Sequence, residues 1–396
     1  MTSNRPTRED FLPFSRPTIG EEEISEVIDS LRSGWLTTGP KVLKLEEAFM
    51  ELTGAKAAIS VNSATSGLHL VLKTLDLGPE DEVITTPITW PSTVNTIEIC
   101  GARPIFADVD KETLQIDPYD VERSITPRTR AVIPVHFAGA PCDMDALSEI
   151  CKRYRLYLIE DAAHAVGTEY KGRVIGNSKN GSDAAVFSFH VIKNITTGEG
   201  GMIVCNNEER SARMRRLRFH GISRDAWRRY SKGGSPQYEV EEPGFKYNMM
   251  DIQAAIGIHQ LKKLEKFNEK RAKLASNYRK LLADVPRITP LGSVPYKHRH
   301  TWHLFVVRLE IEALTIDRDQ FILALQEENI GTGLHFPAVH LQRYYREHYG
   351  FQKGMLPNAE WNSERLFSLP LYPTLEENDQ ADVISAMKRI IKRYER

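Results

Sequence analysis

Short apolar runs alternate with amphipathic segments along the first half of the chain, and this alternation constrains the fold more than any other feature. Each run is long enough for a buried strand but too short for a core helix. The runs occupy residues 57–61, 82–85, 104–106, 131–135, 156–159, 184–187 and 202–205. A segment between two of them has helical periodicity, carried by Leu68, Val71, Leu72 and Leu75. Strands that alternate with helices predict an α/β fold whose mostly parallel sheet is covered on both faces.

Other segments extend this pattern toward the two ends of the chain. Residues 20–33 predict an amphipathic helix, since the apolar side chains fall on one face: Ile24, Val27, Ile28 and Leu31. Residues 252–282 predict a long charged helix that leads to a smaller C-terminal portion. The polar stretch at 223–242 predicts a long exposed loop.

Composition excludes several classes of protein. The chain has 396 residues, of which 41% are hydrophobic and 27% charged, and its formal net charge is −1. These values give no reason to expect a nucleic-acid or membrane partner. No apolar run approaches the roughly 18 residues of a spanning helix, and the N-terminus has no apolar signal-peptide core. The four cysteines lack metal-ligand spacing, so we expect free thiols, no metal site and a cytoplasmic location.

A turn of small residues at 62–67 follows the first predicted strand and opens a helix. The first amides of a helix have no partner within it, and the helix dipole favours negative charge there. Thr65 and Ser66 would add hydroxyl donors. The segment therefore predicts an anion site, although a plain N-cap explains Ser63 or Thr65 almost as well.

Asp161 stands just after the apolar run 156–159, at the carboxyl end of a predicted strand. Ligands of parallel sheets collect at this edge. A buried carboxylate needs a cationic partner, or it becomes protonated. Asp161 is therefore a candidate ligand for a positively charged atom, and an N-cap of a following helix is the alternative.

Lys193 lies in a turn between two apolar runs, with Gly198, Gly200 and Gly201 close behind it. A desolvated lysine amine loses its proton more easily and becomes a nucleophile, as Schiff-base chemistry requires. On spacing alone, a surface lysine in a glycine-rich hairpin is the simpler interpretation.

The stretch 188–201 reads S-F-H-V-I-K-N-I-T-T-G-E-G-G. It resembles a signature of the DegT/DnrJ/EryC/StrS family of pyridoxal-phosphate-dependent sugar aminotransferases, as do E-D-A-A-H at 160–164 and the segment 244–257. The resemblance implies fold type I: a mostly parallel seven-stranded sheet flanked by helices, with a smaller α+β C-terminal domain. The predicted division is a large cofactor-binding domain, 1–260, and a small domain, 261–396.

The resemblance also assigns roles to individual residues. Lys193 would bind pyridoxal phosphate covalently and act as the catalytic residue. The cofactor phosphate would lie over Ala64 and Thr65 and bind the Ser188 hydroxyl. Around the pyridine ring the resemblance places a stacked aromatic ring, an acid on the ring nitrogen and an imidazole near the phenolic oxygen: Trp90, Asp161 and His164 respectively.

Three further residues are assigned to the mouth of the site. Asn248 would reach the cofactor phosphate of the neighbouring subunit, which implies a homodimer with composite active sites; from the sequence alone it would be a helix N-cap. Thr38, in the loop 34–40, would belong to the substrate entrance. His335 would face the sugar pocket, although a turn is the simpler interpretation.

The implied reaction moves an amino group from glutamate, with release of 2-oxoglutarate, to the 4-keto group of a nucleotide sugar. Within the family, the stretches 33–40 and 331–336 favour the members that form UDP-4-amino-4-deoxy-L-arabinose for lipid A modification in lipopolysaccharide. Thr197 and Gly198 depart from that pattern, and residues 177–182 look like a short insertion. A 4-keto-6-deoxyhexose nucleotide is the alternative substrate.

The sequence disfavours three rival functions. A cofactor-dependent sugar dehydratase of the same fold would be expected to carry histidine in place of Lys193. A binding protein with an inactive site would have lost part of the residue set. A nicotinamide-dependent reductase would need G-x-G-x-x-G after the first strand, where residues 62–67 read N-S-A-T-S-G.

Overall fold

The apolar runs form a seven-stranded sheet in the computed structural model, which describes residues 7–222 and 237–396. The strands are β1 (Ala57–Val61), β2 (Glu82–Thr85), β3 (Arg103–Phe106), β4 (Thr129–Ile133), β5 (Tyr157–Asp161), β6 (Glu169–Tyr170), β7 (Arg173–Val174), β8 (Ala184–Ser188), β9 (Gly201–Cys205), β10 (Ile288–Pro290), β11 (His298–Arg299), β12 (Phe305–Leu309) and β13 (Leu366–Leu369). The helices are α1 (Glu21–Ser33), α2 (Pro40–Thr53), α3 (Ala64–Lys73), α4 (Pro91–Ile99), α5 (Pro118–Arg123), α6 (Met144–Tyr154), α7 (Glu208–Leu217), α8 (Asp251–Leu282), α9 (Arg318–Glu327), α10 (Arg343–Tyr349), α11 (Pro357–Ser363) and α12 (Glu377–Tyr394).

The strand order of the large sheet is β1-β9-β8-β5-β4-β2-β3. Strand β9 is antiparallel to both of its neighbours, and the other neighbouring pairs are parallel. The predicted mostly parallel, seven-stranded sheet is therefore confirmed. Strand β4 ends at Ile133, two residues before the predicted position 135. Pairing with the end of β5 continues as an isolated parallel bridge between Val135 and Asp161, in which the Asp161 N–H donates to the Pro134 carbonyl at 2.9 Å and the His136 N–H donates to the Asp161 carbonyl at 3.1 Å.

Helices cover both faces of this sheet, because successive side chains of a strand point to opposite faces. In β8, Ala185 and Phe187 pack into the core that α2, α6 and α8 complete. Ala184 and Val186 pack into the opposite core, with α3 and α7. Strands that are buried on both faces explain why their sequences are continuous apolar runs rather than alternating ones.

The C-terminal part is built around a three-stranded antiparallel sheet in the order β10-β12-β13. Helices α9 and α12 supply much of its core. Helix α8 contributes to two cores: Leu264 and Phe267 belong to that of the large sheet, and Leu274 and Tyr278 to that of the small sheet. The predicted domain division at residue 260 falls inside this helix and stays a prediction.

The predicted helix at 20–33 is present as α1, but most of its apolar face is not buried in the protomer. Ile24, Ile28 and Leu31 are 43%, 39% and 54% exposed, respectively. An apolar face of this kind needs cover from another surface, or it stays in contact with water at a free-energy cost.

Further predictions concern the loop at 223–242, the cysteines and membrane-spanning helices. Residues 223–236 of the predicted loop at 223–242 lie outside the described residues. The cysteines are unpaired, as predicted, and these are Cys100, Cys142, Cys151 and Cys205. Among the helices of the described residues, none combines the length and the apolar character needed to cross a membrane.

Candidate active site

A cavity of about 360 Å3 opens at the edge of the large sheet where β2, β4, β5 and β8 end. It brings together eight of the ten residues that the sequence nominated: Ala64, Thr65, Trp90, Asp161, His164, Ser188, Lys193 and His335. Thr38 and Asn248 do not line it. The carboxyl ends of the parallel strands place most of this set at one edge, as the topology of such sheets requires.

The start of α3 forms one wall of the cavity. Ser63 is the N-cap, and its hydroxyl oxygen accepts the N–H of Ser66 at 3.1 Å. The amides of Ala64 and Thr65 are the first two of the helix and have no intrahelical acceptor. The N-cap interpretation and the anion-site interpretation are therefore compatible. Ser66 was also expected to offer a hydroxyl, but that hydroxyl bonds the Asn62 side chain at 2.6 Å and does not line the cavity.

The turn into β9 comes unusually close to this helix start. A Cβ atom added to Gly201 would lie 2.8 Å from the amide nitrogen of Ala64 and 2.9 Å from the carbonyl oxygen of Phe187. Only glycine fits between the two elements. This close approach brings the α3 amides and the end of β8 to the same side of the cavity.

Asp161 ends β5 and is only 4% exposed. Its carboxylate accepts the hydroxyl of Thr93 at 2.7 Å and the N–H of Ala163 at 3.1 Å. Burial raises the pKa of Asp161, against these two hydrogen bonds. A turn rather than a helix follows, so the alternative interpretation as a helix N-cap is wrong. Within the described residues, no cationic side chain forms an ion pair with Asp161.

His164 packs beside Asp161 in the cavity wall, with its ring stacked on Phe336 at 5.9 Å between centroids. Burial lowers the pKa of His164 well below its usual value, so the ring is neutral. The N–H of Ala138 donates to its Nδ1 at 3.3 Å. Since Nδ1 accepts, the ring proton is on Nε2.

Lys193 lies in the turn after β8 and lines the cavity, so the surface-lysine interpretation is wrong. Burial lowers its pKa to about 8, an effect that the charge of Asp161 opposes. The next residue fixes the turn, because the Asn194 side chain donates to Asn268 of α8 and to the Thr301 carbonyl, both at 2.8 Å. The site thus holds an amine that loses its proton readily.

Trp90 and Ser188 complete the walls. Trp90 precedes α4 and is 63% exposed, so its ring offers an open aromatic face to the cavity. Ser188 is the last residue of β8 and is buried, and its hydroxyl oxygen accepts the N–H of His190 at 3.3 Å. His335 lies on the far side, where burial lowers its pKa to about 3 and its Nδ1 is 2.9 Å from the hydroxyl of Ser368.

The two nominated residues outside the cavity contact each other. The Asn248 amide donates to the Thr38 hydroxyl oxygen at 2.7 Å, and that hydroxyl donates to the Met249 carbonyl at 2.6 Å. The N-cap of α8 is Met250, so the alternative interpretation of Asn248 as a helix N-cap is wrong. The pair ties the loop 34–40 to the segment that opens α8.

His303 is the main residue that the sequence analysis missed. Its Nε2 lies 3.4 Å from the Lys193 Nζ, and its ring centroid is 4.4 Å from that of His164. The available signal was the histidine-rich run 298–303, H-R-H-T-W-H, which precedes a strand of the small sheet. No rule of spacing within one element connects this run to Lys193, because the two meet only in the tertiary fold.

Residues 17–388 match the model of the DegT/DnrJ/EryC1/StrS aminotransferase family. The chain belongs to this family. It is 51% identical over 385 residues to an uncharacterized protein, MJ1066, of Methanocaldococcus jannaschii, with 97% of this chain and 98% of that protein covered.

Two solved structures extend the likeness to the whole fold. Spr1654 of Streptococcus pneumoniae, which is named as a sugar aminotransferase and was solved in its PMP form, is 32% identical with a TM-score of 0.89, over 96% of this chain and 99% of that one. PseC of Helicobacter pylori, an aminotransferase involved in the biosynthesis of pseudaminic acid, is 29% identical with a TM-score of 0.89, over 97% of this chain and 100% of that one. The predicted fold type I is confirmed.

Aminotransferases of this family use pyridoxal phosphate, and the residues of the cavity fit that cofactor. A buried carboxylate without a cationic partner suits a protonated pyridine nitrogen. Free helix amides beside a serine hydroxyl suit a phosphate group. An amine of lowered pKa suits a carbonyl carbon. The protein is a pyridoxal-phosphate-dependent aminotransferase.

Proposed function

We propose that this aminotransferase moves the amino group of glutamate to the 4-keto group of a nucleotide-linked sugar. The observation that carries the proposal is the Lys193 amine, whose pKa burial lowers to about 8, in one cavity with the buried carboxylate of Asp161, which forms no ion pair among the described residues. Family membership supplies the reaction class. The sugar substrate is inferred from the resemblance at 188–201 and from the solved relative Spr1654, which is named as a sugar aminotransferase.

Each wall of the cavity would hold one part of the cofactor. The amides of Ala64 and Thr65, with the Ser188 hydroxyl, would bind the phosphate, and the face of Trp90 would cover the ring. Asp161 would keep the ring nitrogen protonated. The N–H at Nε2 of His164 would donate to the phenolic oxygen. Bound pyridoxal phosphate would supply an electron sink for the carbanion formed at the substrate carbon.

Lys193 would carry the proton in both halves of the reaction. As a free amine, its Nζ would take the α-proton of glutamate; as an ammonium group, it would donate a proton to C4 of the sugar. A pKa of about 8 keeps both forms accessible near neutral pH, since neither form dominates by more than about tenfold at pH 7. His335, across the cavity, would contact the sugar.

The proposal includes a homodimer in which each site takes Asn248 from the other subunit. Two features support it. Asn248 and Thr38 do not line the cavity of their own subunit. The apolar face of α1 and the side chain of Met250 are exposed in the protomer, as an intersubunit surface would be. Thr38 would then lie at the substrate entrance of the partner site, through its contact with Asn248.

Mixed dimers test this arrangement directly. Lys193→Ala and Asn248→Ala homodimers should each be impaired, and unfolding and refolding the two together should restore activity. In a mixed dimer, one site carries both substitutions and the other carries neither. Activity that never exceeds the sum of the separate variants would contradict composite sites. Light scattering gives the oligomeric state independently.

For the sugar itself we propose a UDP-linked 4-keto-pentose, as in the formation of UDP-4-amino-4-deoxy-L-arabinose for lipid A modification in the cytoplasm. The stretches at 33–40 and 331–336, which resemble those of the family members that form this sugar, support this choice. A 4-keto-6-deoxyhexose nucleotide is the second candidate, because Thr197 and Gly198 depart from the pattern of the pentose-specific members. A sugar dehydratase is disfavoured by the lysine at position 193.

The deciding experiment has two steps. The purified protein, loaded with pyridoxal phosphate, should show the visible absorbance of a lysine-bound cofactor, and glutamate should convert it to the spectrum of pyridoxamine phosphate. A panel of UDP-, dTDP- and GDP-linked 4-keto sugars should then restore the first spectrum for one class of substrate. Conversion by glutamate without reversal by any keto sugar would reject the sugar assignment and keep the aminotransferase.

A further inference from the structure

Three imidazoles surround the Lys193 amine, and burial lowers the pKa of each. Those of His164 and His303 fall well below the usual value, and that of His335 falls to about 3. The positive charge of Lys193 lowers the three pKa values further, and the guanidinium of Arg271 adds to the effect on His303. All three rings are therefore neutral over the whole range in which Lys193 titrates.

The hydrogen bonds of His303 differ from those of other buried histidines nearby. The Nδ1 of His164 accepts the Ala138 N–H, and the Nδ1 of His136 accepts the Cys142 N–H at 3.0 Å, so backbone amides fix both tautomers. Nδ1 of His303 has no hydrogen-bond partner within residues 7–222 and 237–396. Its Nε2 faces the Lys193 Nζ at 3.4 Å. The Lys193 amine is thus the only hydrogen-bond partner of the His303 ring among the described residues.

The backbone around His303 is held firmly in place. The guanidinium of Arg271, from α8, is buried and donates to the carbonyl oxygens of Trp302, His303 and Leu371, at 3.2, 3.3 and 2.8 Å. The next amide, of Leu304, donates to the Ala138 carbonyl at 3.2 Å. Because a buried guanidinium bonds three backbone carbonyls, the backbone that carries the His303 ring is held in place beside the cavity wall.

We propose that His303 is a positioning residue whose Nε2 accepts one N–H of Lys193 and so orients the amine toward the substrate carbon. The inference rests on the proposed role of Lys193 as proton carrier. An ammonium group has no lone pair, so it requires an acceptor on Nε2 and places the ring proton on Nδ1. The free amine still has two N–H groups and keeps the same hydrogen bond. Its lone pair then points away from His303, into the cavity.

The alternative tautomer would defeat this function. A proton on Nε2 would donate to the lone pair of the free amine and occupy the position that has to accept the substrate proton. It would also repel the ammonium form. The functional tautomer leaves the Nδ1–H of His303 without a hydrogen-bond partner among the described residues, as the Nδ1 of His340 is also left.

Substitutions of His303 test the proposal in the complete enzyme. His303→Phe keeps an aromatic ring beside His164 but removes the acceptor, and we expect kcat to fall about 10- to 100-fold while KM for glutamate stays the same. His303→Gln places an amide oxygen near the position of Nε2 and should recover most of the loss. His300→Phe is the matched control, because its ring stacks on Trp302 and does not contact Lys193.

A second readout uses the protein without cofactor. The pH dependence of Lys193 acylation by a small amine-reactive reagent, followed by peptide mass spectrometry, reports the pKa of the amine. His303→Phe should move the midpoint to lower pH, because the ammonium form loses a charge-assisted hydrogen bond that is stronger than the one lost by the free amine. His303→Gln and His300→Phe should leave the midpoint in place. A midpoint and a kcat that are both unchanged in His303→Phe would overturn the proposal.

A third readout needs no substitution and covers the case in which His303→Phe does not fold. Nitrogen chemical shifts of the His303 imidazole, in apoprotein labelled at histidine, should show Nδ1 protonated and Nε2 unprotonated; the opposite pattern would refute the inference. These apoprotein measurements are independent of the sugar. A wild-type protein that binds no pyridoxal phosphate would reject the proposed function and would leave the contact between His303 and Lys193 to be judged separately.

Discussion

Two buried carboxylates, Glu46 and Asp161, have opposite environments. Glu46 of α2 is 2% exposed and lies between two guanidinium groups, with Arg218 at 2.6 Å and Arg215 at 2.7 Å. The amide and hydroxyl of Ser60 also donate to it, both at 2.9 Å. Burial opposes ionisation there, but the two arginines outweigh it and hold the pKa of Glu46 below its usual value.

Asp161 is buried to nearly the same degree, yet it accepts hydrogen bonds from two neutral donors and forms no ion pair among the described residues; burial raises its pKa by more than the charge of Lys193 lowers it. Burial therefore prevails, and its pKa is raised. This difference indicates different roles for the two carboxylates. At Glu46 the protein's own arginines balance the buried negative charge. At the edge of the sheet the charge of Asp161 has no ion-pair partner among the described residues, so a bound ligand has to balance it.

Lys193→Ala should give the largest effect, because it removes the amine that lines the cavity beside Asp161. We expect turnover to fall by more than about 10^4-fold, since both covalent attachment and proton transfer are lost. The melting temperature should not fall, because burial disfavours the ammonium form of Lys193 in the folded protein, as its lowered pKa indicates. Steady-state rates and thermal unfolding measure the two quantities. Lys179→Ala, an exposed lysine outside the cavity, is the control. Normal turnover in Lys193→Ala would refute the assignment.

Asp161→Asn should give the next largest effect. An amide keeps the shape and the contact with Thr93 but cannot stabilise a proton on the ring nitrogen, so we expect kcat to fall about 10^2- to 10^3-fold. The apoprotein should be as stable as the wild type or more stable, since the substitution removes a buried charge that has no partner. Chemical denaturation of the apoprotein, with Asp145→Asn as an exposed comparison, measures this. A large loss of stability would mean that Asp161 is a structural acid like Glu46.

Glu46→Gln should reverse the pattern. Two arginines would lose their counter-charge in a buried network, and we expect the unfolding free energy to fall by about 3 kcal/mol. The kcat of the folded fraction should stay unchanged, because the network lies away from the cavity lining. Denaturation curves and rates at low temperature distinguish the two effects. Glu47→Gln, on the exposed face of the same helix, should change neither.

The sequence predicted the sheet and the cavity residues well because both depend on local pattern. Strands that are buried on both faces are continuous apolar runs, and the parallel arrangement forces the residues that follow them to one edge. Asp161, Ser188 and Lys193 come together for this reason. The motifs at 160–164 and 188–201 resemble signatures of the family, and this resemblance predicted the chemical roles of the three residues.

What the sequence did not give depends on contacts between distant segments. His303 meets Lys193 across 110 positions, and the Glu46 network joins α2 to the end of α7. The exposed side of α1 was predicted as an ordinary amphipathic face, because periodicity does not say which surface covers it. The role of Asn248 belongs to the same class, since it depends on a second subunit.

The smallest effect we expect is on the pH dependence of the unfolding free energy, and it reports on Lys193 in the cavity alone. The pKa of Lys193 is lowered from 10.5 to about 8 by folding. Between these two pH values the unfolded chain binds more protons at this position than the folded one, so the contribution of Lys193 to the unfolding free energy rises with pH, by up to about 1.4 kcal/mol per unit. Below pH 8 the contribution is constant and unfavourable.

Lys193→Met removes this contribution, so the difference in stability between the variant and the wild-type apoprotein carries the signal, and titrating groups that do not interact with Lys193 cancel. We expect the variant to be more stable at pH 7 and its advantage to shrink steadily from pH 8 toward 10.5. Denaturation at one fixed protein concentration measures the difference at each pH. A difference that does not change with pH would mean that the folded site leaves the pKa of Lys193 at its ordinary value, and the amine would then lack the reactivity that sets this region apart from the network of Glu46.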